Sequence, residues 1–590
     1  MLFEKIAAYY DRLESISSRL EMIDVLTEML KETSEDDIRE AIYMTQGVLG
    51  PPFAGIEIGI AEKLTEQAIE RASGYKVSEI DANFKKTGDL GTSAGQFAEK
   101  SKLKRMSSNK FTVKETFDIL LKIAVTSGSG SQDSKIRMMS ELIASSSPNG
   151  AKYIVRFAMG TLRLGVGDAT ILEALSKAFT DDRKFKTELE NAYNICSDLG
   201  EVGYILAKKG KKGIDGIKIS LFNPIRPALA ERLSTGEEIL EKMHGKCSVE
   251  SKYDGMRAQL HVDKKKGKVQ IYSRRLENTT EMFPDICEAA LREIDADSVI
   301  LEGEIIAYDE VANIFLPFQE TAQRRRKHEI SAKAQSLPVY MFSFDLMYLN
   351  GHDYMEKEYS QRRMKLEEIL KKGKMLRLAD RKVVDSAKDL EKYFVNAIDE
   401  GLEGVVAKGL NSKYIAGARK FSWIKLKRSY RNELSDTLDL VIVGYYLGKG
   451  SREEFKFGGI LCATYNDRKD VFETVTRIGT GFTEKLLEEL REILSKIRTT
   501  GKPARVVSNV EPDFWVEPRY VVTVRADEIT KSPTHTCGWN KHEDGTQYGY
   551  ALRFPRIVSN GIREDKGAEE ANTSHEVAEM YKLQKKTKLS

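Results

Sequence analysis

The apolar residues of this chain change their spacing near residue 218, and that change excludes a single uniform architecture. Ile6, Tyr9, Leu13, Ile16, Leu20, Ile23 and Leu30 recur at steps of three and four, the mark of a helix with one buried face. Similar stripes return over 113–126, 136–144 and 171–178. Beyond residue 218 the pattern shifts to runs of strand length mixed with amphipathic stretches. The segments 259–262 and 269–273 flank a hairpin turn at 264–268, and 299–308 and 339–349 are β-branched or aromatic runs. The stretches 364–371 and 390–398 return to helical spacing. From about 431 the chain reads as short strands, 438–446, 459–465, 471–478 and 520–529, with one helix over 483–497. Strands of that kind close naturally as a small barrel.

At 590 residues the chain exceeds what one hydrophobic core serves, so three units are expected. The lysine- and glycine-rich 208–216 reads as a linker or hairpin, and Pro224-Ile225-Arg226-Pro227 marks the entry to the second unit. A net charge of +3 excludes a global polycation, so any surface for nucleic acid must be local. The five cysteines are scattered with no C-x-x-C pair, which indicates neither a disulfide framework nor a zinc ribbon. With no signal-peptide pattern and no run long enough to span a bilayer, the expectation is a cytoplasmic protein without a membrane role.

Within the helical unit, glycine-bearing breaks separate the stripes: Lys86-Thr87-Gly88-Asp89-Leu90-Gly91, Ser127-Gly128-Ser129-Gly130-Ser131-Gln132 and Leu164-Gly165-Val166-Gly167-Asp168. Turns of small residues that lead into helices present backbone N–H groups and suit phosphate contact; each is equally an ordinary loop. Several in one unit favour a sequence-independent grip on duplex backbone. A basic run between Lys100 and Lys110 reads as a solvated loop touching phosphate or a partner, and the tail from Lys585 to Lys588 as a basic, frayed end.

The chemistry concentrates in the second unit. In Glu250-Ser251-Lys252-Tyr253-Asp254-Gly255, an extended backbone would put Glu250, Lys252 and Asp254 on one face, with Gly255 admitting close approach of backbone or ligand. A lysine in such a place is a nucleophile once its pKa is lowered; alone, the pattern is also a surface salt-bridge ladder. In Leu301-Glu302-Gly303-Glu304 two carboxylates emerge from an apolar strand and must meet a metal or a lysine. In Trp423-Ile424-Lys425-Leu426-Lys427 the tryptophan and both lysines share a face, placed to hold a polyphosphate and to depress the pKa of a neighbouring lysine. Glu403-Gly404-Val405-Val406-Ala407-Lys408 sets a further carboxylate at the end of a buried strand. No stretch reads G-x-x-x-x-G-K-[ST], so a nucleotide here is not held by a P-loop.

These motifs, together with Ser273-Arg274-Arg275-Leu276-Glu277-Asn278, Phe342-Ser343-Phe344-Asp345, Arg553-Phe554-Pro555-Arg556 and Arg563-Glu564-Asp565-Lys566, stand in family order. The chain resembles ATP-dependent DNA ligases of the archaeal and eukaryotic replicative type, within the covalent nucleotidyltransferase superfamily. The resemblance implies a multidomain α+β fold: an all-α DNA-binding domain over 1–218, an α+β adenylation domain over 219–430, and an oligonucleotide-binding (OB-fold) β-barrel over 431–590. It implies that Lys252 takes AMP from ATP, passes it to the 5′-phosphate at a nick in duplex DNA, and that the 3′-hydroxyl then displaces AMP. By the same resemblance Glu250 meets the adenine amino group, Phe344 stacks on the base, and Arg257 and Glu304 hold the ribose. Arg274 meets the phosphates, Lys425 and Lys427 bind the α-phosphate, and Arg419 braces the pocket. Glu304 and Glu403 are the magnesium partners. Arg553, Arg556, Arg563 and Lys566 orient the leaving pyrophosphate when the barrel closes over the site.

Strand parity leaves two assignments open: Phe344 could be core alongside Tyr340, Phe342 and Leu346, and Arg275 could take the place of Arg274. Family members often carry Asp where Glu302 stands, which leaves its role open. The expected protein is a monomer acting on nicked duplex at the nucleoid, in replication, repair or recombination. A sliding-clamp partner is also carried by the resemblance, but the segment from Lys100 to Phe111 lacks the aromatic pair of a clamp motif. An RNA ligase or capping enzyme shares the lysine chemistry but generally lacks so large a helical unit. An NAD-dependent ligase would bring a four-cysteine zinc site, and a silent DNA-binding scaffold would form no covalent adenylate.

Overall fold

The computed structural model describes the chain except for Ser17, 104–109, 181, 310–313, 317–320, 322–323, 325–336, 371–372, 401, 428–436, 448–456, 542–546 and 588–590. The middle of the basic run after Lys100 and the expected boundary at 430/431 lie outside the described residues, as does the end of the basic tail.

The N-terminal region is helical throughout, and the periodicity explains why. In α1 (Phe3–Ser15) the residues Phe3, Ile6, Tyr10 and Leu13 are buried on one face; α2 (Arg19–Glu32) follows. The second stripe forms α3 (Val113–Val125), buried through Val113, Phe117, Leu120 and Ile123. Its N-terminus is closed by a reciprocal pair of bonds: the Glu115 amide donates to Thr112 Oγ1, and the Thr112 amide to Glu115. Helices α4 (Ser131–Ser145) and α5 (Asp168–Thr180) each begin directly after a glycine turn, with Gly130 and Gly165 at φ of 76° and 66°. One core joins these helices from Phe3 to Ile214. The segment 208–216 is helical on either side of Gly210, whose φ of 62° and ψ of −161° interrupt α6 (Leu199–Asp215), with Leu206 before the break and Ile214 after it anchored in that core.

The middle region is two sheets with helices on their faces. β1 (Cys247–Lys252), β2 (Met256–Asp263), β3 (Lys268–Ser273), β4 (Ser298–Asp309) and β5 (Val339–Leu349) are followed by α7 (Tyr359–Ile369) and α8 (Ala387–Asp399). Then come β6 (Gly404–Lys408) and β7 (Arg419–Lys427). One sheet runs Leu229–Arg232, β7, β6, β1, Arg381–Val384; the other runs β3, β2, β4, β5, His352–Asp353. Each sheet is covered by helices on the side away from the other sheet: Val249, Val405 and Ile424 share a core with Leu390 and Phe394 of α8, and Leu260, Leu301 and Leu346 share one with Leu366 and Ile369 of α7.

The C-terminal region is built on sheets, with β8 (Thr437–Tyr446), β9 (Gly459–Asn466), β10 (Val471–Ile478), α9 (Glu484–Lys496), β11 (Val521–Arg525), β12 (Glu528–Ser532), β13 (Gln547–Arg553) and β14 (Arg556–Ile562). The larger sheet runs Val506–Val507, β10, β9, β8, β11, β14, and β12, β13 and Cys537–Lys541 form a smaller one. The run 520–529 is therefore two strands rather than one, broken at Ala526-Asp527 and shared between the two sheets. A last helix, α10 (Ser574–Thr587), is absent from the sequence reading. The chain is thus a multidomain α+β protein: a helical region, a two-sheet region and a C-terminal sheet domain. Among the described residues no helix is long and apolar enough to cross a membrane.

Candidate active site

The Lys252 motif and two motifs that follow it about 150 residues later become neighbours in one sheet. β6 lies between β1 and β7, antiparallel to both, so Lys252, Gly404 and Lys427 stand abreast, and so do Glu250, Val406 and Lys425. Gly404 sits at φ 151°, where a Cβ would lie 2.2 Å from the Leu426 carbonyl oxygen, so only glycine brings these strands together. Glu403, just before it, is ion-paired to both Lys252 Nζ and Lys427 Nζ. β1 ends at Lys252, so Asp254 lies beyond the strand and is exposed, yet within electrostatic reach of Lys252 and Glu304. Gly255 serves backbone approach: a Cβ there would meet the Ile305 carbonyl at 2.4 Å.

The second sheet supplies the opposite wall. β2 and β4 pair Arg257 with Glu304 and Gln259 with Glu302. Arg257 donates to Glu302 at 2.9 Å and to the Ala228 carbonyl at 2.8 Å, and the Tyr414 hydroxyl donates to the same Glu302 at 2.7 Å. This gives Glu302 a definite task, holding Arg257. Phe344 stays half-buried while Phe342 is buried and stacked on Tyr253. Its ring meets Trp423 edge-on at 5.9 Å, with the Lys408 amine 4.8 Å and the Arg257 guanidinium 5.7 Å from its centroid. Glu250 is almost wholly buried and tied to Lys408 at 2.7 Å and to the Tyr359 hydroxyl.

The C-terminal region closes the third side. Arg274 pairs with Glu570 at 2.9 Å, and Arg275 donates to the Glu564 carbonyl, so both arginines face this region. Glu576, in the first turn of α10, is ion-paired to Arg419 and lies 3.6 Å from Lys425. Arg563 and Lys566 are held by Asp439. Arg553 and Arg556 are more than half exposed and pair with Glu528 and Asp527, away from the other site residues.

Family models match along the chain in order. A DNA ligase N-terminus model covers 2–176, an ATP-dependent DNA ligase domain covers 227–427, and an ATP-dependent DNA ligase C-terminal region covers 453–566. A DNA ligase of Sulfolobus acidocaldarius is 44% identical over 100% of this chain and 99% of its own length. The chain belongs to the ATP-dependent DNA ligases. A probable DNA ligase of Dictyoglomus turgidum is 43% identical over 100% and 99% of the two chains, and DNA ligase 2 of Korarchaeum cryptofilum 40% over 99% and 98%. A covalent enzyme–adenylate is general to these ligases, so the electrostatics around the lysine matter most.

Those electrostatics correct one expectation for this ligase. Burial pushes the Lys252 ammonium down, but Glu403 and Glu304 lift it further, and the net direction is upward. The lowering expected from the neighbouring lysines does not prevail, because Glu403 is ion-paired to both Lys252 and Lys427. Burial lifts Glu403 too, yet Lys252 and Lys427 hold it well below the usual carboxylate range. Glu304 is pushed up to about 7 by burial, with Glu403 and Asp254 adding to the rise against Lys252 and Arg257. Lys425 is pushed down to about 7 by burial, against Glu576, with Arg419, Lys427 and Lys566 lowering it further. Sequence reasoning missed Glu576, Tyr414, Tyr359 and the pairing role of Lys408. Glu576 had a local signal: Thr573 and Glu576 form a capping box, each amide bonding the other's side chain.

Proposed function

We propose that Lys252 is the residue of this DNA ligase that carries AMP. The carrying observation is the register that sets Lys252 and Lys427 on either side of Gly404 with Glu403 bridging both amines. Without nucleotide Lys252 is a charged, ion-paired ammonium, so it loses a proton before it attacks. Its nitrogen then bonds the α-phosphorus as the bond to pyrophosphate breaks; the phosphoramidate passes AMP to the 5′-phosphate of the nick, and the 3′-hydroxyl displaces AMP. Lys425 and Lys427 receive the α-phosphate, Arg419 braces the pocket, and Arg274 meets the outer phosphates. Phe344 stacks on adenine, Glu250 and its partner Lys408 bound the base edge, and Arg257, fixed by Glu302, holds the ribose with Glu304.

Magnesium fits this site through Glu304 and Glu403. A buried carboxylate held near 7 beside a second one has too little positive charge around it. Among the described residues no cluster of three or more metal-binding side chains exists, so the nucleotide's phosphates would complete the coordination. The ion supplies charge neutralisation on the transferring phosphoryl group.

The domains divide as 1–218, 219–430 and 431–590. The first grips duplex DNA through its glycine turns, the second is the adenylation domain, and the third is an OB-fold barrel whose bulged strands β8 and β9 favour curvature. Arg563 lies within electrostatic reach of Glu403, and Lys566 within that of Arg274 and Lys425, so both C-terminal cations adjoin the pocket. Nucleotide loading takes place with the C-terminal domain closed, and DNA sealing after it has swung away. The protein works as a monomer in the cytoplasm. Incubation with α-labelled ATP and magnesium is expected to label the protein and not Lys252→Ala; a label that persists in the variant overturns the assignment.

A further inference from the structure

The turn that the sequence offers for gripping DNA, Leu164 to Asp168, lies against the C-terminal domain in this structure. Across that contact each domain donates an arginine to a carbonyl of the other: Arg163 to Lys496 and Arg519 to Gly160, both at 2.6 Å. The Arg505 guanidinium packs on Gly167, 2.5 Å from where a Cβ would stand. At the centre sits Asp470, 4% exposed, in the turn between β9 and β10 at a left-handed φ of 53°. Its carboxylate is divided between the domains. One oxygen takes Arg505 at 2.6 Å and Tyr465 at 2.8 Å from its own side. The other takes Arg19 Nε of α2 at 3.3 Å and the Thr170 hydroxyl, in the first turn of α5, at 3.1 Å.

The Arg19 guanidinium and the Thr170 hydroxyl converge on one oxygen at the N-terminal end of a 13-residue helix, and together they make an anion site. Arg19 is held in place from its own side by Glu173 at 3.0 Å, so the site belongs to the helical domain and not to the contact. The anion now in it comes from elsewhere. Beside it the two domains leave a cavity of about 240 Å³ between them, lined by Leu13, Arg163, Leu164, Pro503, Ala504 and Glu517, so they are not tightly packed there, the character of a contact that opens.

We propose that Arg19 and Thr170 form a binding site for a backbone phosphate of duplex DNA, and that Asp470 occupies it as a substitute anion while the C-terminal domain is closed. Closure for nucleotide loading and full engagement of duplex are then mutually exclusive, because one site serves both. This rests on the domain movement proposed above.

The test uses the full-length protein and two readings: adenylation with labelled ATP in the absence of DNA, and anisotropy of a fluorescent nicked duplex lacking its 5′-phosphate. Asp470→Asn is expected to slow adenylation several-fold and to tighten duplex binding several-fold. Arg19→Gln and Thr170→Val are expected to slow adenylation in the same sense but to weaken duplex binding several-fold. For Arg19→Gln the slope of log Kd against log salt should fall by about one. A simple latch between domains predicts tighter duplex binding for all three variants, and that outcome overturns the proposal. So does an Asp470→Asn protein, folded by its melting curve, whose duplex affinity is unchanged. Should Asp470→Asn unfold the C-terminal sheet through loss of Arg505 and Tyr465, the two helical-domain variants leave those bonds intact and decide the matter by the sign of their effect. Duplex affinity is read without chemistry, so failure here leaves the Lys252 assignment standing.

Discussion

Glu304→Gln should make this ligase more stable and less active, and the size of the gain follows from where the carboxylate sits. A rise from 4.5 to about 7 corresponds to about 3 kcal/mol, since each pH unit is worth about 1.4 kcal/mol. The sign follows from proton linkage. The folded protein keeps a proton on Glu304 that the unfolded chain releases, so stability falls as pH rises from 4.5 to 7 and the whole cost is present above 7. Glutamine does not ionise and carries none of it. Wild type and variant should therefore unfold at similar temperatures at pH 4.5, and the variant should lead by about 3 kcal/mol at pH 8. For a domain of this size that is a shift of roughly 6–12 °C in the transition of the adenylation domain. Calorimetry of the nucleotide-free protein at the two pH values reads it directly. The same variant should form the adenylate at least tenfold more slowly, because it loses a proposed ribose and magnesium contact. A stability gap that stays constant with pH, or that favours wild type at pH 8, would refute the claim that a desolvated, underneutralised carboxylate lies beside Lys252.

Three further outcomes can be checked. Glu576→Gln removes the carboxylate that occupies Arg419 and Lys425, so the KM for ATP in self-adenylation should fall several-fold, and α10 amides should exchange faster with solvent. Gly404→Ala would drive a methyl group into the Leu426 carbonyl at a φ that L-residues avoid, which should cost several kcal/mol in denaturant unfolding and part Lys252 from Lys427. Tyr414→Phe takes one donor from Glu302 while sparing packing; about 1 kcal/mol is at stake, so the KM for ATP should rise about fivefold with kcat nearly unchanged.

How much of this was legible depended on whether the physics was local. The stripes that became α1 to α5 could be read because burial on a helix repeats every three to four residues. The face shared by Trp423, Lys425 and Lys427 could be read because a strand alternates. The run 208–216 reads as a linker or hairpin because its glycines and lysines hide a single buried anchor, Ile214, which together with Leu206 just before the run holds helix on both sides of the break at Gly210. The run 520–529 was misread because both halves alternate, and only the second sheet at β12 demands the break at Ala526-Asp527. The site shows the same division more sharply. Each motif announced itself, yet the charge state of Lys252 did not follow from the motifs. Two lysines near a third imply a lowered pKa only when nothing negative lies between them. Here the register of β1 against β6 and β7 puts Glu403 in that gap and reverses the sign. Glu576 carries the argument across the domain boundary. Its capping box fixes where α10 starts, but its carboxylate reaches Arg419 and Lys425 only because the C-terminal domain is closed on the pocket. The cations proposed to hold ATP are therefore already neutralised before ATP arrives, so nucleotide must displace a carboxylate to bind. That makes the affinity for ATP a property of domain closure as much as of the pocket itself.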